Sequence, residues 1–133
     1  MGAGSQEKHH IQDAAEVYAV YRLQQLAVIN DCAINDDVEE KNKEFLDYCE
    51  ERNLSIDTFN ASKYRKSTDN HIVSIFDDLR KKYPEEKFNF IYCEVENRNL
   101  GKKGDFMIEF LKLPSKSVSL KNYEKGYSTI QTC

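Results

Sequence analysis

Tryptophan is absent from this chain of 133 residues, and no apolar run approaches the ~20 residues that a membrane-spanning helix needs. The first ten residues are polar and contain glycine, serine and histidine, so nothing there resembles a signal peptide. There is no excess of positive charge. Lysine and arginine total 19 against 23 acids, a formal net charge of −4, which argues against a protein that coats nucleic acid non-specifically. It leaves room for an enzyme acting on DNA, because a carboxylate cluster for a metal lowers the total. The four cysteines, Cys32, Cys49, Cys93 and Cys133, include no Cys-x-x-Cys pair, which argues against a structural zinc site. Spread thiols of this kind suit a reducing, cytoplasmic setting. No repeat, low-complexity tract or coiled-coil heptad is present.

What is there fits one globular domain. Hydrophobic residues make up 40% of the chain, eight tyrosines and seven phenylalanines among them, and the length suffices for a real core. Residues 1–10 read as a flexible or expression-derived leader outside the fold, because Gly-Ala-Gly-Ser is scar-like. Residues 11–133 form the expected domain.

Helices come first. Asp13 to Asn30 carries a broad apolar face (Ala14, Val17, Tyr18, Tyr21, Leu23, Leu26, Ala27, Ile29), with Asp13 favouring its N-terminus. Asp36 to Arg52 has a thinner face and an acidic start, and Asn53 is its expected stop. Ser55 with Asp57 can open a short helix, extended by Thr58 to Tyr64. Ser67 to Tyr83 is expected as the next helix, capped by Ser67 or Thr68, with Ile72, Ile75, Phe76 and Leu79 at helical spacing and Pro84 ending it. His71, near its start, reads as a partly exposed polar residue.

Strands follow. Phe88 to Val95 is nearly continuous in β-formers and reads as a central strand. A basic turn, Asn97 to Gly104, precedes two alternating strands in the stretch Gly101 to Tyr123, with Pro114-Ser115 in their connection. Phe106, Ile108 and Phe110 point one way, and Asp105, Met107 and Glu109 the other. In the second strand Val118 and Leu120 oppose Ser117, Ser119 and Lys121. If the apolar sides share a core, Asp105 and Lys121 are presented together on the opposite face. A carboxylate and an ammonium held there can bind a divalent metal and position a water beside a phosphodiester. The same alternation also fits an ordinary solvated face. The expected class is α+β, with N-terminal helices on a small mixed or antiparallel sheet of about three strands.

The strand pair resembles the restriction-endonuclease-like superfamily, the PD-(D/E)XK phosphodiesterases, and within it the type II restriction enzymes. Gly104-Asp105, followed by apolar alternation, and then Ser119-Leu120-Lys121-Asn122-Tyr123 carry the resemblance. It covers about the last third of the chain, where Thr129-Ile130-Gln131 looks like the beginning of the next core helix. The family pattern has Asp or Glu where this chain has Ser119, and the usual core continues with a helix and a fourth strand beyond the lysine strand. The C-terminal part of such a core is therefore expected to be missing, as in a truncated or divergent member.

The resemblance implies Mg²⁺- or Mn²⁺-dependent hydrolysis of DNA phosphodiesters. Asp105 would be the principal metal ligand, with Glu16 or Glu109 as a second carboxylate and the carbonyl of Leu120 as a further oxygen. Lys121 would orient the attacking water and offset transition-state charge, and Ser119 would hydrogen-bond a water of the site. Lys102, Lys103, Asn122 and Tyr123 are the candidate phosphate contacts. Enzymes of this kind often cut both strands as dimers, so a homodimer is an expectation, although no seam in the sequence marks its surface. Two other readings stay open: a catalytically inactive nuclease-like module that binds nucleic acid or a protein, and an interaction protein whose Asp105 and Lys121 are surface charges.

Overall fold

The computed structural model describes residues 2–93, 106–119 and 129–132, and side chains over 10–93 and 106–118. The class is α+β, with four helices, α1 (Gly2–Ile29), α2 (Val38–Glu51), α3 (Ile56–Ala61) and α4 (Lys63–Lys82). Four strands follow: β1 (Phe88–Tyr92), β2 (Phe106–Phe110), β3 (Lys116–Ser119) and β4 (Thr129–Thr132). They form one sheet in the order β1-β2-β3-β4, with every neighbouring pair antiparallel. No helix among the described residues is long and apolar enough to cross a membrane.

The helices start and stop for local reasons. α1 begins at Gly2, well ahead of the expected Asp13, so backbone placed outside the fold by its scar-like composition is helical. Both α1 and α2 end in a left-handed residue, Asp31 (φ 56°) and Asn53 (φ 55°), the residue types that tolerate this region best after glycine. In each case two reversed hydrogen bonds follow. Cys32 N–H donates to Ala27 and Asp31 N–H to Val28; Leu54 N–H donates to Cys49 and Asn53 N–H to Glu50. These are the paired bonds of a Schellman ending, which satisfy carbonyls a helix terminus otherwise leaves open.

Ser55 caps α3 by accepting from Thr58 N–H at 3.0 Å. Ser62, not Ser67 or Thr68, caps α4, accepting from Arg65 N–H at 3.3 Å. α4 thus starts one turn earlier than its apolar spacing suggests. Its last turn holds Arg80, Lys81 and Lys82, favourable at the negative end of the helix dipole, and Pro84 follows.

Two apolar clusters meet along α1. One lies between the sheet and the pair α1/α4 and includes Val20, Leu23, Ala27, Ile72, Phe76, Phe88, Phe90, Phe106, Ile108 and Val118. The other lies among the helices and includes Ala14, Val17, Tyr18, Phe45, Cys49 and Phe59. Tyr92 packs against both. Fully burying a phenylalanine contributes roughly 1.5–3 kcal/mol, so Phe59, Phe88, Phe90 and Phe106, all at 0% exposure, anchor the two clusters.

Three expectations are corrected here. β1 is at an edge of the sheet rather than at its centre. It tolerates apolar content because its outer side is covered: Phe88 N–H donates to Cys32 and Ile34 N–H to Phe88, closing a parallel bridge with Ala33. Thr129-Ile130-Gln131 belongs to strand β4, not to a helix. Its β-branched residues suit extended backbone, and the register sets Ile130 opposite Val118. Among the described residues the sheet therefore has four strands rather than about three. His71 is buried at 2% exposure, with Nδ1 2.7 Å from the carbonyl oxygen of Ser67. It shares a face with Thr68, Ile72 and Ile75, all buried.

Candidate active site

The β2–β3 ladder has the expected alternation. Phe106, Ile108 and Phe110 are buried against the helices, while Met107 and Glu109 are half-buried on the other face. Phe106 pairs with Val118 and Met107 with Ser117, so the apolar sides of both strands face one core. Asp105, Lys102, Lys103, Leu120, Lys121, Asn122 and Tyr123 lie outside the described residues. Ser119 closes β3, paired with Thr129.

Glu16 lies among the described residues. On α1, Val20, Leu23 and Ala27 pack against the sheet, and Glu16 precedes Val20 by one turn on that stripe. It is only 8% exposed. Which end of the sheet it approaches follows from Gln24. That side chain is wholly buried, and its Oε1 accepts from Phe90 N–H at 3.0 Å. From Phe90, β1 runs toward Tyr92, which reaches the cluster holding Ala14, Val17 and Tyr18. β1 is thus antiparallel to α1. Glu16, about 12 Å along the helix from Gln24, lies toward the sheet end formed by Tyr92, Phe106 and Val118, which are paired in series. Those are the strand ends nearest in sequence to Asp105 and Lys121.

Glu109 is placed differently. It is three residues along β2 from Phe106, about 10 Å at strand rise, and its Oε1 accepts from Asn89 Nδ2 at 2.8 Å across the β1–β2 pair. Among the described residues no group of three or more His, Cys, Asp or Glu is arranged to hold a metal ion.

Two features around α1 escaped the sequence reading. Tyr48 of α2 stacks edge-on against Tyr92, with ring centroids 6.3 Å apart. Its phenol is pushed well up from the ordinary tyrosine range by burial, then by the negative charge of Asp13, to which it is hydrogen-bonded. Asp13, one turn before Glu16 on α1, thus joins a half-buried tyrosine pair. Gln24 is the second. It offered one signal, a position between Leu23 and Ala27 on an otherwise apolar stripe. No family model, curated protein or solved structure matches the chain.

Proposed function

We propose that the chain hydrolyses DNA phosphodiesters with Mg²⁺ or Mn²⁺, and that α1 with β1–β3 forms the core of a restriction-endonuclease-like nuclease. The observation that carries this reading is the buried carboxylate of Glu16. It sits on the sheet-packing stripe of α1, toward the end of the sheet from which the chain leads into Asp105 and Lys121. Its oxygens, with those of Asp105, are of the kind a hard divalent ion takes.

Glu16 then stands in for the acid that the motif lacks at Ser119, in preference to Glu109, one of whose oxygens accepts from Asn89. Bound there, a divalent cation would act as a Lewis acid on the scissile phosphate and acidify water. Asp105 and Glu16 would hold and orient it. Lys121 would orient the nucleophilic water and offset charge growing on the phosphoryl oxygens. The arrangement requires the chain to bend out of the β2 alternation at Asp105, because one more ladder pair with Ser119 would turn its side chain to the face away from α1 and Glu16.

Plasmid nicking tests the reading. With Mg²⁺ or Mn²⁺ the protein is expected to nick DNA, and Asp105→Asn, Lys121→Ala and Glu16→Gln are each expected to lose about a hundredfold or more while melting cooperatively. Glu109→Gln keeps the activity. Intact DNA with the unaltered chain, or full activity in Glu16→Gln, overturns the assignment. Ser119, uncharged where the pattern has an acid, favours a second reading, an inactive nuclease-like module that binds nucleic acid or a protein. Calorimetric titration with Mg²⁺ separates the two, since the module releases or absorbs no heat.

A further inference from the structure

The far end of α1 carries a surface that hydrolysis does not use. Ile29, its last residue, is 71% exposed, the most exposed of the large apolar side chains described. It stands on a ridge between two grooves of opposite charge. On one side a groove of about 490 Å³ runs between Leu26 of α1, with Asn30 just beyond its end, and the outer face of α4, where Val73 is 53% exposed. Arg80 and Lys81 rim it, with Asp77 as the one acid. On the other side a groove of about 550 Å³ is lined by Gln25, Val28 and Ile29 and by the start of α2, where Asp36, Asp37, Glu39 and Glu40 gather. Lys41, which pairs with Asp37 at 3.5 Å, is buried and leaves the acidic rim largely uncompensated.

We propose that this ridge is an interface between two copies of the chain, related by a two-fold axis running along α1. The argument is charge complementarity. Rotation about an axis parallel to α1 carries the basic groove of one copy onto the acidic groove of the other, and does so twice, with the two Ile29 side chains meeting between them. A two-fold axis across α1 would instead set basic groove on basic groove. An isologous contact needs this self-complementarity, and an apolar centre with a charged rim is how such interfaces are built. The pairing stands independently of the hydrolytic reading. If both hold, parallel α1 helices present the two Glu16 ends on the same side of the pair.

Sedimentation velocity of the whole chain tests it. The expected behaviour is a monomer–dimer equilibrium that weakens with salt, since screening shortens from about 10 Å at 0.1 M to about 3 Å at 1 M. Ile29→Glu is expected to weaken association by roughly tenfold or more. The double variant Arg80→Glu/Lys81→Glu makes both rims acidic, and the triple variant Asp36→Lys/Glu39→Lys/Glu40→Lys makes both basic. Each alone is expected to stay monomeric, and an equimolar mixture to form a heterodimer. All the altered side chains are exposed, and circular dichroism checks the fold of each variant. A wild-type chain that stays monomeric as concentration rises, a dimer indifferent to Ile29→Glu, or a mixture that does not associate overturns the proposal. The first of these outcomes would leave the ridge to a different protein.

Discussion

Gln24 holds the outer edge of the sheet to α1, and replacing it with methionine measures what that link is worth. Its Nε2 donates to the carbonyl of Asn35 at 2.7 Å and its Oε1 accepts from Phe90 N–H at 3.0 Å. The two bonds are unequal in consequence. Asn35 is exposed, so its carbonyl turns to water when the amide is lost. Phe90 is wholly buried on an edge strand, and its amide proton is left with no acceptor. An orphaned buried donor costs about 1–3 kcal/mol, and methionine fills nearly the same volume without adding a cavity penalty. Gln24→Met is therefore expected to lose about 2 kcal/mol, which for a chain of this length lowers Tm by roughly 6–10 °C. Gln24→Glu sharpens the test. A protonated carboxyl can donate to Asn35 and accept from Phe90, whereas an ionised one sets two acceptors against each other in a buried site. Its folded pKa is thus raised above the unfolded value of about 4.3. A raised pKa gives stability that is fully present below the unfolded value and lost as pH rises through the folded value. In urea titrations followed by circular dichroism, the deficit of Gln24→Glu against wild type is expected to be small near pH 4 and to widen toward pH 8. A Gln24→Met chain within about 0.5 kcal/mol of wild type, or a deficit of Gln24→Glu that ignores pH, would refute the reasoning.

Phe59, at 0% exposure, touches Tyr18 and Phe45 edge-on with centroids 5.3 and 5.1 Å away; Phe59→Ala is expected to cost about 3–5 kcal/mol in urea unfolding, and a cost under 1 kcal/mol would deny the helical cluster its anchor. The Tyr18 phenol donates to Asp69 Oδ1 at 2.6 Å and is pushed well above its ordinary value of 10.0, by burial first and by the bond to Asp69 next. That stabilisation is complete below the unfolded pKa and is lost as pH rises beyond it, so wild type is expected to lose more stability than Tyr18→Phe between pH 9 and 11. Equal losses in urea midpoints would count against the buried bond.

The parts of this fold that were legible in the sequence are those where one periodicity dominates. Phe106, Ile108 and Phe110 alternate because one side of β2 meets helices and the other does not. Ile72, Ile75, Phe76 and Leu79 mark α4 because one stripe faces the sheet. The early start of α4 was hidden because α3 runs into it through the single residue Ser62, with no turn signal between them. His71 was misread by residue type, although its spacing from Thr68 and Ile75 places it on the buried face. β1 looked central because its apolar content answers to cover from Cys32–Ile34 and Gln24, which no local pattern announces. For the site, the sequence offered a motif and a choice of second carboxylate. Of the two, Glu109 accepts from Asn89 through one oxygen, and Glu16 is buried on the stripe of α1 that meets the sheet.

α1 explains why one polar residue on its stripe reads as structure and another as chemistry. Gln24 and Glu16 both interrupt the apolar run that meets the sheet, and both are buried. Gln24 is neutral, and both ends of its amide are used by backbone groups that the fold would otherwise leave open. Everything about it is accounted for by closing the edge of β1. Glu16 occupies a position where an aliphatic side chain would continue the packing of Val20 and Leu23. Under the proposed function it has a role of its own there, as an oxygen ligand for the divalent ion. The same helix that fixes the sheet through Gln24 therefore fixes the distance from the sheet end at which that acid is held. A substitution that loosens the Gln24 link should disturb Glu16 as well, by the rigidity of the two helical turns between them.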